Sequence, residues 1–188
     1  MDFSAVLGAV SMGAADLGIS GFSPTEERKE AMELSIPYRM EEDDSGQGLL
    51  VPADMVDQYQ KAEDFAGKKI AVQNSSLQES LLKAQLPDAI PELVADLNTA
   101  VLMLTEGKVD AVGVAGANGK AFAKNYPQVA MSGFYYEQED TGTSVAAAKG
   151  ETELIAEINA IIEKAQEEGL FSVWYTEAVE LANSLGVN

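Results

Sequence analysis

A chain of 188 residues, 46% hydrophobic and 23% charged, has the balance of a globular protein and the length for one large domain or two small ones. It contains neither cysteine nor histidine, which removes thiol nucleophiles, histidine general bases, Ser-His-Asp triads and nearly all zinc sites. Its 31 acidic residues against 12 basic ones give a formal net charge of -19, a surface that repels nucleic-acid backbones and anionic membranes.

From the N-terminus, Met1-Asp2-Phe3-Ser4 has no basic region or cleavage site and does not read as a signal peptide. Phe3, Val6, Leu7 and Val10 recur at helical spacing, and Gly13 stops that helix. Ala15–Ser20 reads as a buried strand, followed by the turn Gly21-Phe22-Ser23-Pro24. Thr25 caps a short helix, and Ser35–Tyr38 is a brief extended piece. The acidic run Glu41–Asp44 lacks the glycine and spacing of a calcium loop and reads as a solvated loop. Gly48–Val51 is extended again, and residues 52–68 lean helical.

The middle of the chain alternates strand and helix. Lys69–Gln73 is a strand, and Ser76–Gln85 is a helix with Leu77, Leu81 and Leu82 on one stripe. Pro87 and Pro91 break it before a strand over Glu92–Leu97. Asn98 caps a helix to Glu106, and Gly107 closes it ahead of the strand Val109–Ala115. A helix near 117–125 and a strand near 128–133 complete the block, and the Asp140–Thr143 turn starts the strand Ser144–Ala148. Two helices end the chain, 152–168 and about 171–185. Trp174 and Phe171 are expected in the core of the second. No apolar run approaches the 18 residues of a membrane-spanning helix.

The alternation predicts an α/β fold with largely parallel sheets. Two extended runs, Gly46–Val51 and Thr143–Ala148, bracket the middle block. They read as crossover strands between two lobes: residues 1–50 with 143–188, and residues 51–142. Paired crossovers make a hinge, and a hinge makes a cleft.

The order of motifs resembles the extracellular amino-acid-binding proteins of polar-amino-acid ABC importers along the whole chain. FSAVLGAVSMGAADLGISGFSPTEER is similar to their first-lobe segment, and SIPYRMEEDDSGQGLLV to their first crossover. KIAVQNSSLQESL resembles the first strand of their second lobe, and LTEGKVDAVGVA their Asp-Ala-Val strand. GTSVAAAKGETELIAEINAIIEKAQEEGLFSVWY resembles the return crossover and C-terminal helix. The resemblance implies a two-lobed periplasmic-binding-protein-like fold of type II. It implies a non-catalytic, extracellular or periplasmic capture protein with no cofactor, which closes on an amino acid or other carboxylate and delivers it to an ABC permease. Family members begin with a further β-α-β segment that helps wall the ligand. This sequence starts after that segment, so an incomplete first lobe, impaired binding and pairing between chains, by homo-oligomerisation or domain swapping, are expected.

On the same resemblance, Arg28 clamps the ligand carboxylate with Ser23 and the backbone of Ser20 and Gly21. The alternative is that Arg28 only pairs with Glu26 or Glu27 on a solvated helix. Ser76 and the Leu77 N–H close on the same carboxylate from the second lobe, or serve only as an ordinary helix cap. The family usually places an aspartate where this chain has Ala115, so the partner for an α-ammonium group is missing. Two alternatives stand beside capture. One is a folded fragment that binds nothing. The other, less favoured, is an enzyme like the cyclohexadienyl dehydratases of this fold, whose acid would also fall at Ala115.

Overall fold

The computed structural model of the chain describes residues 2–39, 46–138 and 142–185. The elements in the first part are helix α1 (Phe3–Ser11), strand β1 (Gly18–Phe22), helix α2 (Glu26–Ala31) and strand β2 (Met32–Leu34). Then come β3 (Gln47–Pro52) and two 3₁₀ turns, Ala53–Gln58 and Ala62–Phe65. The central alternation is β4 (Lys69–Gln73), α3 (Leu77–Gln85), β5 (Ile90–Val94), α4 (Leu97–Thr105), β6 (Ala111–Ala115), α5 (Gly116–Asn125) and β7 (Val129–Tyr135). Strand β8 (Ser144–Ala148) and helices α6 (Thr152–Glu167) and α7 (Leu170–Leu185) follow.

The chain divides into two compact units. Ala5–Glu41 with Glu139–Asn188 makes the first, and Glu42–Gln138 is the body of the second. The expected division at 50/51 is therefore displaced. Strand β3 is not a crossover: it pairs with β6 on one side and β7 on the other inside the second unit. Nor is β8, which lies between β1 and β2 in the first. The run Glu41–Asp44 and the residues Asp140 and Thr141 lie outside the described residues.

The expectation of largely parallel sheets also fails. In the first unit β1 and β2 both pair antiparallel with β8. In the second unit the order is β5-β4-β6-β3-β7, with β4 parallel to β5 and β6 but β3 antiparallel to both its neighbours. Crossover helices make successive strands parallel. Strand β3 has no such helix before it among the described residues, so its direction is free of that rule.

The second unit holds the two large hydrophobic clusters, one on each face of its sheet. Leu49, Val51, Ile70, Val72 and Ala111 pack with Leu82 of α3 on one side. Leu50, Ala71, Val112 and Val114 pack with Val101 and Leu104 of α4 on the other. Alternation along β3, β4 and β6 assigns the faces, as pleated strands require. An aromatic chain strengthens the first cluster. Tyr59 stacks on Phe65 at 5.0 Å between ring centroids, Phe65 lies 5.7 Å from Phe134, and Phe134 meets Tyr136 edge-on at 5.1 Å. Each such pair adds about 0.5–1.5 kcal/mol beyond area burial.

In the first unit, α6 turns Ile155, Ile162 and Ala165 inward. Its Asn159 Oδ1 accepts a hydrogen bond from the Ile36 N–H at 2.9 Å, and Gln166 donates to the Pro37 carbonyl at 2.8 Å. These bonds tie the helix to the segment after β2. Trp174, expected in the core, is 49% exposed on α7, as are Tyr175 and Leu181 to similar degrees. On that aromatic face Phe171 meets Trp174 edge-on, and the Arg39 guanidinium lies 4.5 Å from the Tyr175 ring centroid.

Smaller shifts have local causes. Strand β1 runs through the expected turn because Gly21 adopts φ +69°, a bulge conformation that breaks the register between Gly18 and Phe22. Strand β2 precedes the expected Ser35–Tyr38 run. Residues 52–68 form 3₁₀ turns rather than a helix. Strand β5 includes Pro91, which an edge strand tolerates. Asp96 rather than Asn98 caps α4: its Oδ1 accepts from the Thr99 N–H at 2.9 Å.

Candidate functional site

The first unit contributes the turn between β1 and α2. Thr25 caps α2, its hydroxyl accepting from the Arg28 N–H at 3.4 Å. This places Arg28 in the first turn with its side chain folded back. Its Nη1 donates to the Ser23 carbonyl at 3.0 Å, which also accepts from the Thr25 N–H at 2.9 Å. The guanidinium carbon lies 5.9 Å from the Phe22 ring centroid. Arg28 is thus buried (9% exposed), not laid out on a solvated helix face. Lys29, one residue on, takes the exposed role and pairs with Glu26 at 2.7 Å.

Burial pulls the Arg28 pKa down from its ordinary value, and Glu27 acts in the opposite sense. Arginine still keeps its charge throughout the physiological range. A charged guanidinium taken out of water is costly unless anions or carbonyls compensate it. Ser23 is buried beside it, while Ser20 and Gly21 are exposed on β1. The four expected residues thus lie on one continuous segment, Ser20 and Gly21 on β1, Ser23 in the turn and Arg28 on α2.

The second unit contributes the loop between β4 and α3. Ser76 caps α3 and is buried. Its Oγ accepts from the Glu79 N–H at 3.2 Å. Ser75 before it has φ +60°, a left-handed conformation rare outside glycine. The Glu79 carboxylate steadies this loop, its Oε2 accepting from the Ser75 N–H at 2.7 Å and its Oε1 from Lys83 Nζ at 2.5 Å. Burial works to raise the Glu79 pKa. The Lys83 and Ser75 hydrogen bonds outweigh it and leave the value lowered. The Ser76 cap is thus real, and Leu77 opens the helix beside it.

Two residues that sequence reasoning passed over complete this corner. Gln47 opens β3, opposite Ala115 in the register with β6. It is 2% exposed, and its Oε1 accepts from Gln78 Nε2 in a short hydrogen bond. Gln78 crosses Gly113, where an added Cβ would come within 3.2 Å of the Gln78 Cβ and 2.8 Å of Val72 Cγ1. Glycine is required there for α3 to approach the sheet this closely. The available signal was a glutamine between Gly46 and Gly48 at a strand start. Ala115 itself is the N-cap of α5 and makes no side-chain cap. Among the described residues no cluster of acidic side chains could hold a metal ion.

A chain of two α/β units fits the architecture of a type II periplasmic binding protein. The match to solved structures is close. An amino acid ABC transporter substrate-binding protein of Streptococcus pneumoniae, bound to L-arginine, aligns with TM-score 0.82 and 32% identity over 90% of this chain and 70% of that one. An ancestral arginine-binding protein bound to glutamine aligns with TM-score 0.82 and 30% identity over 94% and 76%. A probable histidine-binding protein of Campylobacter jejuni is 32% identical over 173 residues. That alignment covers 90% of this chain and 64% of the relative, so the chain spans under two thirds of that relative's length. The profile of the bacterial extracellular solute-binding proteins, family 3, matches residues 1–177, and the chain belongs to that family.

Proposed function

We propose that this chain is the solute-capturing component of an amino-acid ABC transporter, acting outside the cytoplasm and binding an amino acid or another small carboxylate. The observation that carries the reading is Arg28. It is a charged guanidinium, buried and anchored by Nη1 on the Ser23 carbonyl, on the segment that also carries Ser20 and Gly21 at the end of β1. A guanidinium is a planar fork of donors whose geometry suits a carboxylate. Ser76 and the Leu77 N–H are its counterparts on the second unit, at the N-terminus of α3. The ligands named for the solved relatives, arginine and glutamine, carry such a carboxylate. Capture is non-catalytic and needs no cofactor. A dehydratase would need a carboxylic acid where Ala115 stands.

Calorimetric titration with a panel of amino acids, beside a melting scan, tests this. Charge-assisted hydrogen bonds contribute about 1.5–3 kcal/mol. Arg28→Ala is therefore expected to weaken binding at least tenfold while the melting transition persists. A folded wild-type protein that responds to no amino acid overturns the reading.

A second reading concerns assembly. The exposed Trp174, Tyr175 and Leu181 on α7, with Ile19 on strand β1, favour association between copies through the first unit. Light scattering at micromolar concentration is expected to give a dimer or larger species. A folded monomer would refute it.

A further inference from the structure

We infer that the Gln47–Gln78 amide pair sets which ligands the second unit accepts, and that it favours a carboxylate bearing an uncharged hydrogen-bond donor as readily as one bearing an ammonium. The inference rests on the proposed capture function and deepens it. Gln47, Gly113 and Ala115 share one face of the sheet, since Gln47 is opposite Ala115 and Gly113 lies two residues before it. Gln78 lies on that same face, with its Cβ over Gly113. The corner is therefore built from a glycine, an alanine and two primary amides, next to the Ser76 cap and the Leu77 N–H.

The pair is held rigidly. Gln47 is buried, and its Oε1 fixes Gln78 Nε2. That bond orients the Gln78 amide, whose Oε1 makes no hydrogen bond among the described residues. An amide oxygen is a neutral acceptor. The one carboxylate on the first turn of α3, Glu79, is already engaged by Lys83 and the Ser75 N–H. Among the described residues, what the corner offers is thus donors for an anion and a neutral acceptor beside them, with no unspent negative charge.

A carboxylate at this place would reward an ammonium over a hydroxyl, because only the ammonium gains a full charge–charge attraction to it. An amide does so far less. The matching ligand class is accordingly α-hydroxy acids together with α-amino acids. Gln47 acts through Gln78 and is a positioning residue.

The test uses paired probes on the full chain: L-arginine with its 2-hydroxy counterpart, and L-histidine with imidazolelactate. Calorimetry at neutral pH gives an amino-to-hydroxy affinity ratio for each pair. The wild-type ratio is expected to stay within tenfold. Gln47→Glu keeps the acceptor for Gln78 Nε2 while adding charge, and is expected to raise the ratio at least tenfold. Ala115→Asp adds the charge at a less buried position and is expected to do the same, so the inference stands open to refutation if Gln47→Glu does not fold. A purely structural role for Gln47 would change both affinities together and leave the ratio fixed. A wild-type ratio above tenfold, or a ratio unmoved in the folded variants, overturns the inference alone. Binding of neither probe class by folded wild-type protein overturns the capture reading and the inference with it.

Discussion

Ala115→Asp should stabilise the second unit even without ligand. Ala115 occupies the N-cap of α5 with φ -65° and ψ 139°, the extended geometry a capping aspartate adopts, and makes no side-chain hydrogen bond to the helix. The first turn of α5 carries no acidic residue, and its only basic residue near an end is Lys124 in the last turn. Of the first-turn N–H groups, Gly116 already donates to the Gly46 carbonyl at 2.8 Å. The N–H groups at the second and third helical positions are those a capping carboxylate reaches. Replacing alanine by aspartate at an N-cap contributes about 1 kcal/mol, part of it from the helix dipole. For a protein of this size that raises Tm by about 2–4 °C. A cap that binds as carboxylate lowers its own folded pKa. Its added stability is present above the unfolded aspartate pKa and lost as pH falls through the lower folded value. Thermal melts followed by circular dichroism near neutrality and in acid, for wild type, Ala115→Asp and Ala115→Asn, measure this. The asparagine variant should keep most of the gain and lack the pH dependence. An aspartate variant that melts no higher than wild type near neutral pH refutes the reasoning.

Three further outcomes follow from groups inside the second unit. The Tyr136 hydroxyl is buried with no hydrogen-bond partner among the described residues, and burial alone pushes its pKa up. Tyr136→Phe should be neutral or stabilising by up to about 2 kcal/mol, because an unsatisfied buried polar group is removed; urea denaturation showing a loss above 1 kcal/mol would contradict this. Ser75→Gly should gain about 0.5–1 kcal/mol by relieving the left-handed φ of +60°, offset by the freer unfolded chain; a drop in melting temperature would count against it. Glu79 has its pKa lowered on folding, so its contribution is complete above the unfolded value near 4.5 and disappears as pH falls through the lower folded one. Glu79→Gln should therefore flatten the acid side of the stability–pH curve, and a curve parallel to wild type would show that the Ser75 and Lys83 bonds contribute nothing.

What the sequence made legible was local chemistry with a single solution. Thr25 and Ser76 cap their helices as read, and KIAVQ is the strand expected, its three central residues Ile70, Ala71 and Val72 being apolar and buried. The residues that hid were those whose partners are distant in sequence. Strand β3 looked like a link between lobes because it and Thr143–Ala148 are extended runs that bracket the middle block. Its Leu49, Leu50 and Val51 are instead buried on both faces of the sheet, between β6 and β7, which only the sheet reveals. Trp174 looked like core from helical spacing alone. Spacing assigns a face to a helix but not a neighbour to that face.

The placement of β3 also changes how the candidate site should be regarded. Had Gly46–Val51 been a crossover, Gln47 would have been a connecting residue with no role in either half-site. As the first residue of a strand between β6 and β7, it is fixed by pairing on both flanks: its carbonyl accepts from the Tyr136 N–H at 2.8 Å, and its register partner is Ala115. A side chain on so constrained a backbone can hold Gln78 in one orientation at little entropic cost. Beside Ala115 stands a hydrogen-bonded amide pair, Gln47 buried and Gln78 half-buried, and a neutral acceptor held by that bond would be a selective feature in its own right.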